Sequence, residues 1–140
     1  MANGIYNRTK YLLATGVNLA TADLRVLLVS SSYSFNSDHN FVSDVVSNEI
    51  SVAGYSRQVM ASKTVTEDDA TDVAYLDGED VTFADLAIGQ TVGGAILYRH
   101  NASDTAAEVL AFYDVVDTPT NGGDIIIQWS APPNGALKLA

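Results

Sequence analysis

The residues best suited to chemistry gather in one stretch, SFNSDHNFVSDVVSNEI (34–50), where Asp38, Asp44 and Glu49 accompany His39, one of only two histidines in the chain. A histidine among carboxylates is the raw material of a metal site or of a general acid–base pair. Spacing argues against both. His39 and Asp44 are five residues apart, which on a helix turns their side chains roughly 140° away from each other, at about 100° per residue. Phe41, Val42, Val45 and Val46 have the spacing of one helical face. Asp38, just ahead of them, is expected to be the N-cap of a short helix, accepting from N–H groups of its first turn. Asn48 is the expected stop, and the stretch should close over the rest of the fold.

The other candidates for chemistry are weaker. His100 follows a strand pattern in LYRHNASD and reads as a solvated loop residue. The run TEDDATDVAYLDGED (66–80) holds seven carboxylates but lacks the alternating oxygen ligands, central glycine and final glutamate of an EF-hand, so it reads as acidic turns around a strand. No serine stands in a nucleophile elbow, no carboxylate pair is singled out for glycoside hydrolysis, and Gly93-Gly94 lies inside a strand pattern with no helix after it to hold phosphate. The absence of cysteine excludes disulfides, thiolate metal ligation and thiol catalysis. Catalytic, metal and cofactor residues are therefore expected to be none. Trp129 and the seven tyrosines leave an alternative, a small carbohydrate-binding β sandwich for host-surface recognition, stacking sugars on exposed rings, and a hydrolase using a carboxylate pair is a third reading.

The elements that would position any such residues read as strands. Short runs rich in Val, Ile and Tyr, bounded by Gly, Asn, Asp or Pro, recur at 24–30, 55–61, 63–67, 72–77, 81–86, 91–100, 108–116, 124–130 and 136–139. No long helical pattern separates them, so the sheets should be antiparallel, and the expected fold is an all-β, jelly-roll-like sandwich with one or two short helices. In DIIIQWS, Ile125, Ile127 and Trp129 share the face expected to be core. Gly78 and the pair Gly122-Gly123 are expected to supply the positive-φ positions of tight connections. The sequence reads as a single domain over 1–140, with 1–20 an N-terminal arm or short helix ending at Gly16 and 21–140 the sandwich. The segment NRTKYLLATGVNLATA imitates a signal peptide, but its apolar run is too short, and nothing approaches the ~20 apolar residues of a membrane span.

Seventeen acidic against seven basic residues give a formal charge of −10 without any Lys/Arg cluster. Such a field repels phosphate, which argues against direct nucleic-acid binding and directs long-range attraction toward basic partner surfaces.

In order along the chain, ADLRVLLVSSSYSFNSDHNFVSDV, NEISVAGYSRQVMASKTVTEDD, DGEDVTFADLAIGQTVGGAILYRH and DTPTNGGDIIIQWS, with a short GALKL end, resemble the cement or decoration proteins of tailed bacteriophages, in particular the jelly-roll cement protein of short-tailed phages of Bordetella type. The resemblance implies a structural protein, made in the host cytoplasm. It would self-associate as a homodimer on the outer face of an HK97-type head, bind the major capsid protein there, and hold neighbouring subunits against the pressure of packaged DNA. The contact residues are expected in the N-terminal arm, at Tyr6, Arg8, Lys10 and Tyr11, where a local positive charge meets aromatic rings, and in the serine-rich loop SSYSF, at Tyr33 and Phe35.

Overall fold

The computed structural model describes residues 3–140, and its strands are antiparallel throughout. The largest sheet is built on β2 (Leu24–Ser30), β7 (Thr91–Arg99) and β8 (Glu108–Pro119), with β1 (Asn3–Ile5) and β3 (Gln58–Val59) at its edges in the order β1-β8-β7-β2-β3. A three-stranded sheet follows the order β10 (Leu137–Leu139), β5 (Val73–Asp77), β4 (Thr64–Asp68), and a two-stranded one pairs β6 (Val81–Phe83) with β9 (Ile125–Ile127). One helix, α1 (Asn7–Ala14), links β1 to the loop before β2.

The small sheets lie on one face of the large sheet and form a sandwich with it. Leu24, Val26 and Leu28 of β2 meet Leu97 of β7, Leu76 of β5, Phe83 of β6 and Leu137 of β10 in one continuous core. The alternate residues Leu27 and Val29 of β2, with Ile96 and Tyr98 of β7, point the other way, into a second core closed by Tyr6, Val42 and Val45. A strand covered on both faces must be apolar at successive positions, which is why β2 reads LRVLLVS without alternation. In β9, Ile127 is buried, Ile125 packs against the core and Ile126 is exposed, as the period-2 pattern requires, and Trp129, two residues beyond the strand's end, also packs against the core. Of the pair Gly122-Gly123, Gly122 has φ +89, as a tight connection requires, and Gly123 does not have positive φ. Gly78 does not have positive φ. Glycine is required there because a Cβ would stand 2.8 Å from the Met60 side chain and 2.9 Å from the Ala61 carbonyl.

Three further expectations are corrected. Residues 38–48 form not one helix capped by Asp38 but two single-turn 3-10 helices, Val42–Asp44 and Val46–Asn48. The start of β8 captures this chain: Val42 donates to the Ala107 carbonyl, Val109 donates to Asn40, and Phe41 bridges Glu108, which leaves Phe41 extended. Tertiary hydrogen bonds thus override the helical spacing. The capping carboxylate is Asp44, which accepts from the Asn40 and Phe41 amides at 2.9 and 3.0 Å and is held below the usual carboxylate range by those bonds. Val42 and Val45 still close over the sandwich, whereas Val46 is exposed.

The second correction concerns the N-terminal segment: it holds the expected short helix, α1, with Gly16 at φ +92 just beyond its end, but it is no free arm, because a strand ahead of the helix joins the large sheet. β1 pairs with β8, Asn3 opposite Tyr113, and Tyr6 and Leu12 are core residues. Thr9, also buried, donates its hydroxyl to the Leu110 carbonyl at 2.6 Å. The third concerns YSRQVMA, which narrows to the two residues of β3 because Arg57 is drawn into ion pairs with Glu49 and Asp104.

Candidate functional site

Of the residues nominated from sequence, the fold brings Tyr6 together with Tyr33 and Phe35, which lie more than twenty positions further along the chain, whereas Arg8 and Tyr11 meet each other. β1 and the start of α1 lie beside the loop 31–41. Asn7 donates its amide to the Ser37 carbonyl at 2.9 Å and its side-chain amide to Asp38 at 2.9 Å, which is the work Asp38 does in place of capping. Gly4 makes the approach possible. A Cβ there would stand 2.5 Å from the Phe35 ring, so only glycine lets that ring lie against the first strand.

Aromatic contacts build the rest. Phe35 stacks on Phe112 of β8 with centroids 5.7 Å apart and meets Tyr6 at 5.0 Å, while Tyr33 packs on Phe112 at 5.3 Å. The Tyr6 and Tyr33 hydroxyls are 2.8 Å apart, and Tyr33 reaches Nδ1 of His39 at 3.1 Å. With a neutral His39 accepting at Nδ1, Tyr33 donates to it and Tyr6 donates to Tyr33, a chain that satisfies both phenols. Burial raises the Tyr6 phenol well above its ordinary value and the bond to Tyr33 adds to this; burial also raises Tyr33. Both phenols are therefore fixed hydrogen-bonding groups at neutral pH, with no tendency to act as bases. A cleft of 340 Å³ opens beside the stack between Asn3, Gly4, Tyr33, Phe35 and Asp114.

Exposure separates the nominated residues into two kinds. Tyr6 is 0% exposed and belongs to the core, so it is not available for docking as its sequence position suggested. Phe35 at 37% and Tyr11 at 55% present ring surface to solvent, and Lys10 is exposed. Arg8 does not supply the local positive charge expected of it. Its guanidinium is 2.7 Å from Glu108, a nearly buried carboxylate that Arg99 also approaches at 3.2 Å, and it lies over the Tyr11 ring at 4.6 Å and the Phe41 ring at 5.1 Å. Arg8 holds Tyr11 in place from beneath, and Lys10 is left as the free cation among the nominated residues. Sequence reasoning missed Phe112 and Gly4. Phe112 sits in a strand pattern where any ring reads as core, and Gly4 shows its role only once Phe35 is seen against it.

Elsewhere, polar groups are engaged in holding the fold. Arg57 donates to both Glu49 oxygens at 2.7 and 2.8 Å and to both Asp104 oxygens at 2.8 and 3.1 Å, and its guanidinium lies 5.5 Å from the Tyr98 ring centroid. Those hydrogen bonds, to Glu49 first, raise its pKa, and they lower that of Asp104. Tyr55 donates to Glu49 at 2.7 Å and accepts from the Leu28 amide at 3.1 Å. The Trp129 indole donates to the Glu79 carbonyl at 2.9 Å and rests against Tyr113. Among the described residues no three His, Asp or Glu side chains are grouped to hold a metal ion, and no helix is long and apolar enough to cross a membrane.

The ion pairs also shape the field. Arg8, Arg25, Arg57 and Arg99 all bind carboxylates of their own chain, and of seventeen carboxylates only Asp23, Glu49, Asp104 and Glu108 are so used among the described residues. The remaining surface is thus carboxylate-rich with Lys10, Lys63 and Lys138 as its scattered cations. Comparison with protein-family models, curated proteins and solved structures finds no match to this chain.

Proposed function

We propose that this chain is a structural virion protein that binds the outer surface of an HK97-type phage head and cements neighbouring capsid subunits, with the major capsid protein and a second copy of itself as partners. The jelly-roll wiring and the location on the virion are parts of the same proposal, carried by the resemblance of the ordered sequence blocks. The structural observation that supports it is the convergence of the N-terminal segment and the loop 33–35 on one aromatic surface. Phe35 is presented there against Phe112 and Tyr6, and Tyr11 is exposed separately on α1 with the Arg8 guanidinium against its ring, so each exposed ring has a packed support. Exposed rings held by packing give contact area at small entropic cost, which is what a docking surface needs. Many copies on one shell raise effective affinity even where each contact is modest.

The test is particle stability. Heads assembled without this protein are expected to rupture at lower temperature or milder osmotic shock, and the wild-type chain, added back, restores resistance. Chains carrying Tyr11→Ser and Phe35→Ser should keep the fold by circular dichroism and lose most of that restoration. Equal rupture of bare and decorated heads would refute the cementing role.

A further inference from the structure

We propose that the face of the β10-β5-β4 sheet next to α1 is a second docking groove, which takes an extended polypeptide segment with an apolar residue at one end and Lys or Arg at the other. This inference stands apart from the aromatic surface and from the virion reading. Its first component is an apolar pocket of 130 Å³. Leu19, Leu76 and Leu137 form its floor and are buried; Leu13, Val17 and Leu139 wall it and are partly exposed. That volume approaches the ~150 Å³ of a cavity that holds one benzene ring, so one branched or aromatic side chain fills it. Leu13 is five residues beyond Arg8 on α1, which places it about 140° round the helix from the side that carries the Arg8–Tyr11 contact.

The second component is continuity. Val65 of β4, 51% exposed, lines this pocket and also the adjoining concave surface formed by Glu67, Asp68, Asp69, Asp72 and Val73. Register puts Leu137, Leu76 and Val65 in one row across the sheet, and Glu67 follows Val65 on the same face. The apolar end therefore runs directly into an acidic end. The third component is a free strand edge: among the described residues β4 pairs with β5 on one side and with no strand on the other, and Thr64 to Glu67 are exposed. An incoming strand gains main-chain hydrogen bonds from that edge and side-chain selectivity from the pocket.

Charge decides the occupant. A second copy of this chain is acidic and would bring like charge against Glu67 and Asp69, and carboxylates on an exposed edge are a recognised device against self-pairing. A basic segment meets complementary potential. The probe is a short synthetic peptide with leucine and valine at alternate positions followed by lysines, titrated into the isotopically labelled full chain and followed by amide NMR shifts. Shifts are expected at β4, at β10 and at residues 13–19. Val65→Lys is expected to weaken binding at least tenfold, and Glu67→Gln with Asp69→Asn should reduce it with the groove's apolar half intact; both variants are first shown to melt like the parent. A control peptide with serine in place of leucine and valine should bind at least tenfold more weakly. Shifts spread evenly over the acidic surface, or equal binding of the two peptides, would overturn the proposal. So would a wild-type dimer by sedimentation that Val65→Lys dissociates, since the groove would then belong to a second copy.

Discussion

Replacing Arg57 with methionine should cost about 3 kcal/mol of folding stability, nearly all of it through Glu49. The two carboxylates that Arg57 holds differ in environment: the Glu49 side chain is 11% exposed and that of Asp104 is 41% exposed. Breaking a buried pair leaves a desolvated charge, at a cost of about 3–5 kcal/mol, whereas an exposed pair contributes roughly 0–1 kcal/mol because water and salt screen it. Arg57 itself retains 24% exposure, which places the expected loss at the lower end of the buried range. Glu49 also accepts from Tyr55, so one bond survives the substitution and limits the loss further. The methionine keeps an aliphatic stem of similar length but removes the guanidinium that lies over the Tyr98 ring, so the measured loss includes that contact and the double-mutant cycle is needed to isolate the Glu49 pair. Urea denaturation of Arg57→Met, Glu49→Gln, Asp104→Asn and the Arg57→Met/Glu49→Gln pair forms a cycle. The Glu49 coupling should be about 2 kcal/mol, with Asp104→Asn alone below about 1 kcal/mol. If Arg57→Met costs under about 1 kcal/mol, or if Asp104→Asn costs as much as Glu49→Gln, the ranking of these contacts by desolvation is wrong.

Two further outcomes follow from the architecture. Removing residues 1–14 takes Tyr6 and Leu12 out of the core, at about 1.5–3 kcal/mol each, and strips β1 from β8. Against a total stability of about 5–15 kcal/mol, the truncated chain should be unfolded or should melt far below the parent by circular dichroism; an unchanged midpoint would show the segment to be dispensable. Acid should also destabilise the fold. Asp44 is lowered from 3.8 by the Phe41 and Asn40 amides, Asp104 by its hydrogen bonds from Arg57, and Asp23 by that from Arg25. A depressed folded value means that this stability is fully present above about pH 4 and is lost as pH falls through the folded values. The urea midpoint should hold at about pH 5, fall at about pH 3, and fall less in Asp44→Asn; a flat profile would contradict this.

Strands with a one-sided or fully apolar pattern were legible in the sequence. β2, β7 and β8 carry long runs of Val, Leu, Ile and aromatic residues, and their existence required only local reading. β1 was not, because NGI is too short and too polar to signal a strand; it is ordered by β8, more than a hundred residues away. The 38–48 stretch failed for a related reason: its spacing is helical, but the hydrogen bonds that decide it come from Ala107, Glu108 and Val109. At the aromatic surface, residue type identified Tyr11 and Phe35 as rings worth attention, while burial of Tyr6 and neutralisation of Arg8 by Glu108 are long-range facts. No local pattern in RTK or EVL announces an ion pair spanning a hundred positions. The groove beside β4 was hidden likewise, since its walls come from α1, β4, β5 and β10.

The pairing of β1 with β8 also governs how this chain must come into being. Tyr6 donates its amide to Leu110, Thr9 its hydroxyl to the same carbonyl, and Arg8 binds Glu108. A nascent chain leaves the ribosome at about 5–20 residues per second, so residues 3–14 wait roughly 5–20 s for their partners to be made. An isolated helix of eight residues is too short to persist in water over that interval. Residues 3–14 are consequently held open, apolar rings included, until β8 has been made. Docking of this segment on β8 closes a loop of about a hundred residues, a contact of high sequence separation that is expected to slow folding, which refolding kinetics of a chain weakened at the β1–β8 pairing would test.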